Sequence, residues 1–300
     1  MRRTNGGAVT ASTSISAANL GWGGYLTAAA GNRAFFIAEY PCKGTAVPFT
    51  TFHRITITGS GRISAIAPVG RPIKGMVTSL AVSPDGSRLA YSALTQVCAG
   101  RESRFTGAGS VSVTDLSTGT VRTWQDKAGR AFASRLSWTP DGRTLIVDED
   151  SPTPRGPELT VFGLDTASSG GSLQAHSRTL LRQDRNCSTC VVTALAGPHG
   201  SLTILESQPA GQRTRVLVVS IPSVAGRSRT VLYSQLINAP SSVTDTALFT
   251  DPSGQWVLLW PTTGITGPRS PQFLKAGWIS GGRLHPLPGV AQVFPQGIAW

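Results

Sequence analysis

The sequence predicts an all-β fold, a β-propeller of four-stranded blades, with five complete blades and an incomplete sixth shared between the N- and C-terminal segments. Three observations carry this reading. A Pro-x-Gly hairpin phrase returns at even spacing along the 300 residues. A looser second hairpin follows each copy. Gly (34) and Pro (20) are abundant while charged residues make up only 14%, which favours many short strands over long helices.

The hairpin phrase is clearest in LAVSPDGSRLAYSA (80–93) and LSWTPDGRTLIV (136–147). Degenerate copies follow in LAGPHGSLTIL and LFTDPSGQWVLLW, and a weak one in LTAAAGNRAFFIAEY. The central positions Asn32, Asp85, Asp141, His199 and Ser253 lie 53, 56, 58 and 54 residues apart. Pro presets the first corner of such a turn, Asp bonds back to its own backbone, and Gly accepts the positive φ that closes it. The flanks are β-branched, aromatic or Leu, as strands prefer.

The second hairpins lie in TFHRITITGSGRISAIAP (51–68), VSVTDLSTGTVRTW (111–124), the stretch 158–181, TRVLVVSIPSVAGRSRTVLYS (214–234) and FLKAGWISGGRLHPLP (273–288). Four strands per unit of some fifty residues, repeated radially, describe a propeller. One domain over 1–300 is expected, with blades near 20–70, 71–129, 130–183, 184–235 and 236–289. The closing blade draws on 1–17 and 290–300. Gly7 and Val9 align there with Gly119 and Val121 of an outer hairpin, and the second strand of that blade is expected upstream of Met1.

The phrases LAVSPDGSRLAY, LSWTPDGRTLIV and LDTASSGGSL resemble the WD40-like propellers of actinobacterial membrane proteins, and more distantly the TolB-type propellers. No unit ends in Trp-Asp and no Gly-His pair opens one, unlike true WD40 repeats. The resemblance implies an extracytoplasmic propeller at the cell surface, membrane-anchored through a segment upstream of Met1. Were Met1 the true start, the chain would be cytoplasmic.

Net charge is +12 and the isoelectric point near 10.6, almost all from Arg; Lys occurs only at Lys43, Lys74, Lys127 and Lys275. Such a field attracts anionic partners. The arginines, however, fall singly after turns (Arg62, Arg88, Arg143, Arg283) with no aromatic interleaving, which argues against specific nucleic-acid binding. No apolar run is long enough to span a bilayer, and the N-terminus lacks a signal-peptide core.

Four cysteines are the sharpest local feature. Cys42 and Cys98 follow second strands, and Cys187 and Cys190 (NCSTC) precede a first strand, so all four are expected on one face of the disc. Disulfides, most simply Cys42–Cys98 and Cys187–Cys190, suit an extracytoplasmic location; free thiols and a zinc site are the alternatives. The zinc reading lacks a second Cys or His pair, since His199 sits on a turn of the opposite face.

Asp148, Glu149 and Asp150 form the one acidic cluster. It is expected just past a second strand on the cysteine face, either as a cation site or, more simply, as a solvated loop of like charges. Trp138, Trp256, Trp260 and Trp278 are expected in the core, while Trp22, Trp124 and Trp300 are left open. Catalytic motifs are absent, and His53, His176, His199 and His285 sit in none. No catalytic residue, metal or cofactor is therefore assigned. The expected function is that of a non-catalytic, monomeric module binding an unknown protein, peptide or glycan. The competing reading is a propeller enzyme, or a propeller gating a hydrolase domain.

Overall fold

The computed structural model describes residues 24–28, 33–40, 47, 49–95, 109–126, 132–153, 156–184, 190–222, 228–237, 246–251, 254, 256–261 and 277–287. They form a β-propeller of five blades, nearly all strand, with a single 3₁₀ turn at Pro198–Gly200 among the described residues. The blades are antiparallel meanders. Blade 1 is β1 (Gly24–Ala28), β2 (Ala34–Glu39), β3 (Phe49–Ile57) and β4 (Ile63–Lys74). Blade 2 is β5 (Met76–Val82), β6 (Arg88–Leu94), β7 (Ser110–Asp115) and β8 (Val121–Gln125).

Blade 3 is β9 (Phe132–Trp138), β10 (Thr144–Thr153), β11 (Gly156–Asp165) and β13 (Ser177–Asp184). Its two-residue β12 (Gly171–Ser172) leaves it to join blade 2. Blade 4 is β14 (Cys190–Ala196), β15 (Leu202–Ala210), β16 (Arg213–Ile221) and β17 (Thr230–Ile237). Blade 5 is β18 (Thr246–Thr250), β19 (Val257–Pro261), β20 (Gly277–Ser280) and β21 (Arg283–Pro286).

The inner hairpins show why the phrase repeats. In blade 2 the Ser83 N–H donates to Arg88 O and the Gly86 N–H to Ser83 O, with Gly86 at φ 73°. Thr139–Thr144 and Asp251–Trp256 close the same way around Gly142 and Gly254. The residue before Pro adds a side-chain bond: Ser83 Oγ, Thr139 Oγ1 and Asp251 Oδ1 accept from the N–H of Arg88, Thr144 and Trp256. Blade 4 has Gly197 there, its loop is one residue shorter, and His199 takes φ 55°.

Three successive blades carry a one-residue bulge near the other end of the inner pair, at Thr78, Ser134 and Val192. A bulge leaves main-chain groups without ladder partners and re-aims side chains. The neighbouring blade meets that need: Thr78 and Ser92 hydroxyls donate to Ala133 O at 2.9 and 3.1 Å. Leu136 N and Ala196 N donate to Ser79 Oγ and Ser137 Oγ of the preceding blade.

Among the described residues the core lies mainly between blades, in four seams. Phe36, Phe52, Leu80 and Leu89 join blades 1 and 2; Val111, Trp124, Leu136 and Leu145 join 2 and 3. Ile146, Val161, Ala194 and Ile204 join 3 and 4; Leu205, Val218, Leu248 and Leu259 join 4 and 5. A smaller cluster of Phe35, Ile37, Ile55, Ile57 and Ile63 belongs to blade 1 alone among the described residues.

The expected sixth blade, residues 1–17 and 290–300, lies outside the described residues, as do the Ala30–Asn32 turn, Trp22 and Trp300. One tryptophan differs from expectation, and one that was left open is placed. Trp256, expected in the core, is 47% exposed, because it ends the hairpin turn and does not enter the strand. Trp124 is 0% exposed although it lies on an outermost strand, because residues of blade 3 cover it.

Candidate functional site

The acidic run is the centre of the strongest polar node. Asp148, Glu149 and Asp150 are not a loop: they lie inside β10, which runs on to Thr153 in a long ladder with β11. Asp148 and Glu149 are 1% and 4% exposed, so the solvated-loop expectation is corrected for both. The ladder supplies the reason, since each residue of 144–153 has a partner among 156–165.

Asp148 points from blade 3 into blade 4. Its Oδ2 accepts from Thr193 Oγ1 at 2.7 Å and from the Ala194 N–H at 3.0 Å. Its Oδ1 accepts from Ser134 Oγ at 3.3 Å, the hydroxyl re-aimed by the blade 3 bulge. A carboxylate can be retained in an interior when hydrogen bonds of this kind replace water. The node ties two blades together, and both of its oxygens are occupied.

Glu149 has two counterparts that the sequence does not reveal. Counted from the pair beside each inner turn (Ala28↔Phe35, Trp138↔Leu145, Ala196↔Leu202), Glu39, Glu149 and Glu206 occupy the same position of the second strand in blades 1, 3 and 4. Glu206 takes a forked pair from Arg229, Nη1 at 3.2 Å and Nη2 at 2.9 Å. Glu39 lies 3.8 Å from His53 Nε2, an ion pair whenever His53 is protonated. The signal was present, but only strand register reveals it, because loops of unequal length hide the equivalence.

Cys190 begins β14 at the end remote from the Pro198 turn, three residues before Thr193. One cysteine therefore shares the end of the disc that carries Asp148. It is not a free thiol. Cys42, Cys98 and Cys187 lie outside the described residues, and so does the side chain of Asp150. No group of three or more His, Cys, Asp or Glu suited to a metal occurs among the described residues.

The opposite face carries the Pro-x-Gly turns. There the Ser83 hydroxyl, with further help from Ser87, brings Asp85 down to about 2. The Thr139 hydroxyl and the Arg143 N–H likewise lower Asp141. Both carboxylates thus serve their turns. The turns also interlock: a Cβ on Gly142 would meet Arg88 and Pro84 of blade 2, and one on Gly254 would meet Gly197 and Pro198 of blade 4. Arg88 stacks over Trp138 at 4.6 Å and donates to Gly142 O and Thr166 Oγ1, tying blade 2 to blade 3.

Nearer the axis, Arg135 of β9 lies over the Phe249 ring of β18 at 5.1 Å. These inner strands belong to blades 3 and 5, so the contact reaches past blade 4. The outer hairpin of blade 5 stacks Trp278 on His285 at 5.3 Å. No helix among the described residues is long and apolar enough to cross a membrane.

No protein-family model matches the chain, and no curated protein matches it significantly. Similar solved structures include hydrazine synthase of Kuenenia stuttgartiensis, at 14% identity over 83% of this chain and 76% of that one, TM-score 0.43. Prolyl oligopeptidase B from Galerina marginata is similar at 12% identity over 85% of this chain and 35% of that one, TM-score 0.48. The Dos1 propeller is similar at 8% identity over 79% and 51%, TM-score 0.41. Likenesses so distant assign no activity.

Proposed function

We propose that the chain is a non-catalytic interaction module of the WD40-like or TolB-like kind, a stiff propeller that holds a protein, peptide or glycan on its exposed loops and edges. One observation carries this reading. Five buried polar side chains are committed to joining blades: Asp148, Thr78, Ser79, Ser92 and Ser137 all bond across a seam. A carboxylate whose oxygens are filled by Thr193, Ala194 and Ser134 is poorly placed to take a substrate proton. Rigid scaffolds of this sort leave recognition to their surface segments.

The proposed setting is extracytoplasmic, with Cys187–Cys190 and Cys42–Cys98 as disulfides on one face. Peptide mapping by mass spectrometry without reductant checks this, and a 42–187 or 98–190 linkage would reject the pairing. For the function itself, the chain is incubated with fluorogenic peptide, ester and glycoside substrates and probed on peptide and glycan arrays. Saturable binding without turnover is expected. Turnover abolished by a single Asp, Glu or His substitution with the fold intact would overturn the module reading.

A further inference from the structure

The outer hairpin of blade 1 is basic and exposed; residues 207–244 of blade 4 are also basic and free of acids, and what sets blade 1 apart is its edge strand. Residues 49–75, which span β3 and β4, contain Arg54, Arg62, Arg71 and Lys74 and not one Asp or Glu. All four cations are exposed, and none makes a side-chain hydrogen bond, ion pair or ring contact among the described residues. Some arginines elsewhere are engaged, Arg88 with Thr166, Arg122 with Thr166 O, Arg182 with Glu158 and Arg229 with Glu206, whereas Arg213 and Arg215 of blade 4 are exposed like those of blade 1. Of the single arginines that follow turns along the sequence, only Arg62 lies on this edge; strand pairing brings Arg54, Arg71 and Lys74 beside it.

The edge itself is unusual. β4 has twelve residues, against five, eight, eight and four for the outermost strands β8, β13, β17 and β21. Its residues are exposed or half-buried throughout. At a rise of about 3.3 Å per residue it runs roughly 40 Å. Arg62 lies just before one end, Arg71 and Lys74 lie at the other, and Arg54 sits beside Ala67 between them. Two apolar side chains stand among these charges, Phe49 at 57% and Ile66 at 40% exposure.

We propose that this edge docks an extended acidic segment of a partner protein, its carboxylates meeting the cations and its apolar side chains meeting Phe49 and Ile66. The proposal rests on the interaction-module reading and names its surface and partner chemistry. A linear row of unpaired cations fits a linear row of carboxylates, and like-signed partners are rejected by the same field. A second copy fits badly, since antiparallel pairing of two β4 edges would set Arg62 against Lys74. Pro68 and Pro72 lack the N–H that continuous strand addition needs, so side chains carry the recognition. Insertion into a bilayer would place unpaired edge backbone in hydrocarbon.

The test uses the whole chain and labelled twelve-residue peptides with Glu at alternate positions and Val or Leu between, read by fluorescence anisotropy. Binding is expected, weakening as salt shortens the screening length. Arg62→Glu/Arg71→Glu should lose at least about tenfold in affinity, as charge reversal at a complementary surface does. Arg213→Glu/Arg215→Glu changes net charge equally on exposed blade 4 positions and should leave binding near wild type. Circular dichroism checks folding, and Arg62→Gln/Arg71→Gln, with a smaller loss expected, serves if the glutamates impair it.

Equal loss in both Glu variants, no loss in either, or no peptide binding at all would overturn the site. So would preferential binding to anionic vesicles or to a single-stranded oligonucleotide, or a concentration-dependent dimer abolished by the Arg62/Arg71 change. Each leaves the module reading standing, because that reading falls only on turnover.

Discussion

At the scale of single residues, Asp85, Asp141 and Asp148 show how differently three aspartates can be used. The first two are surface turn residues. The Ser83 hydroxyl holds Asp85 near 2, and the Thr139 hydroxyl lowers Asp141, so both are more acidic folded than unfolded. Depressed carboxylates stabilise the fold above about pH 4. That contribution fades as pH falls from 4 toward 2, and an acid titration followed by circular dichroism should show it. Asp85→Asn should flatten that limb while costing only about 0.5 kcal/mol at neutral pH, because exposed charge is screened. Asp148 is interior. Asp148→Ala strands the Ala194 N–H and the Thr193 hydroxyl, and should cost about 2–3 kcal/mol in chemical denaturation. Thr203 gives the opposite sign: its Oγ1 is buried and finds no partner, so Thr203→Val should stabilise by about 1 kcal/mol. The turn aspartates were legible in the sequence, since Pro-Asp-Gly states its own geometry. Asp148 was not, because burial of an acid depends on what a blade fifty residues later places beside it.

The clearest lesson at the scale of elements comes from residues 166–177 of blade 3, which strap the outer strand of blade 2. Arg122 Nη1 donates to Thr166 O at 2.9 Å, Trp124 Nε1 to Ser168 Oγ at 3.0 Å, and Gln174 Nε2 to Asp126 Oδ1 at 2.6 Å. Gly171 and Ser172 pair in parallel with Trp124 and Gln125, and Leu173 enters the core between blades 2 and 3. An outer edge that would otherwise stand open is covered. The Ala-Ser-Ser-Gly-Gly stretch reads as a plain hairpin loop in the sequence, and nothing local says that it pairs with another blade. Its glycines are the exception in hindsight. Gly170 has φ 95°, and a Cβ there would lie 2.7 Å from Thr123 O. Gly170→Ala should therefore lift the strap at a cost of about 1–2 kcal/mol, through both strain and lost contacts. The measurement is tryptophan emission: Trp124, now fully buried, should shift to the red and become quenchable by iodide.

The whole molecule is organised by seams, and the seams bear on how the ring closes. Each of four apolar clusters joins consecutive blades, from the 1–2 seam of Phe36 and Leu89 to the 4–5 seam of Leu248 and Leu205. Among the described residues the fifth cluster, Phe35, Ile37, Ile55, Ile57 and Ile63, draws on blade 1 alone. A sheet with an apolar face needs a layer against it. Residues 1–17 and 290–300, whose pattern matches an outer hairpin and an inner strand, are our candidate for that layer. Five repeats were countable from their turns, whereas the closing blade was read only from the patterning of the two end segments, because closure depends on packing between distant segments that share no turn. The expectation is specific. Deleting 290–300 should lower the thermal midpoint and open the blade 1 face, read as dye binding and as faster amide exchange in β2 and β3. Amide exchange in β10 and β15, which share the 3–4 seam, should change far less, since that seam keeps both its blades. Equal loosening everywhere would instead mean that the cluster is closed by something other than the C-terminal segment, and that the deletion acts on global stability alone.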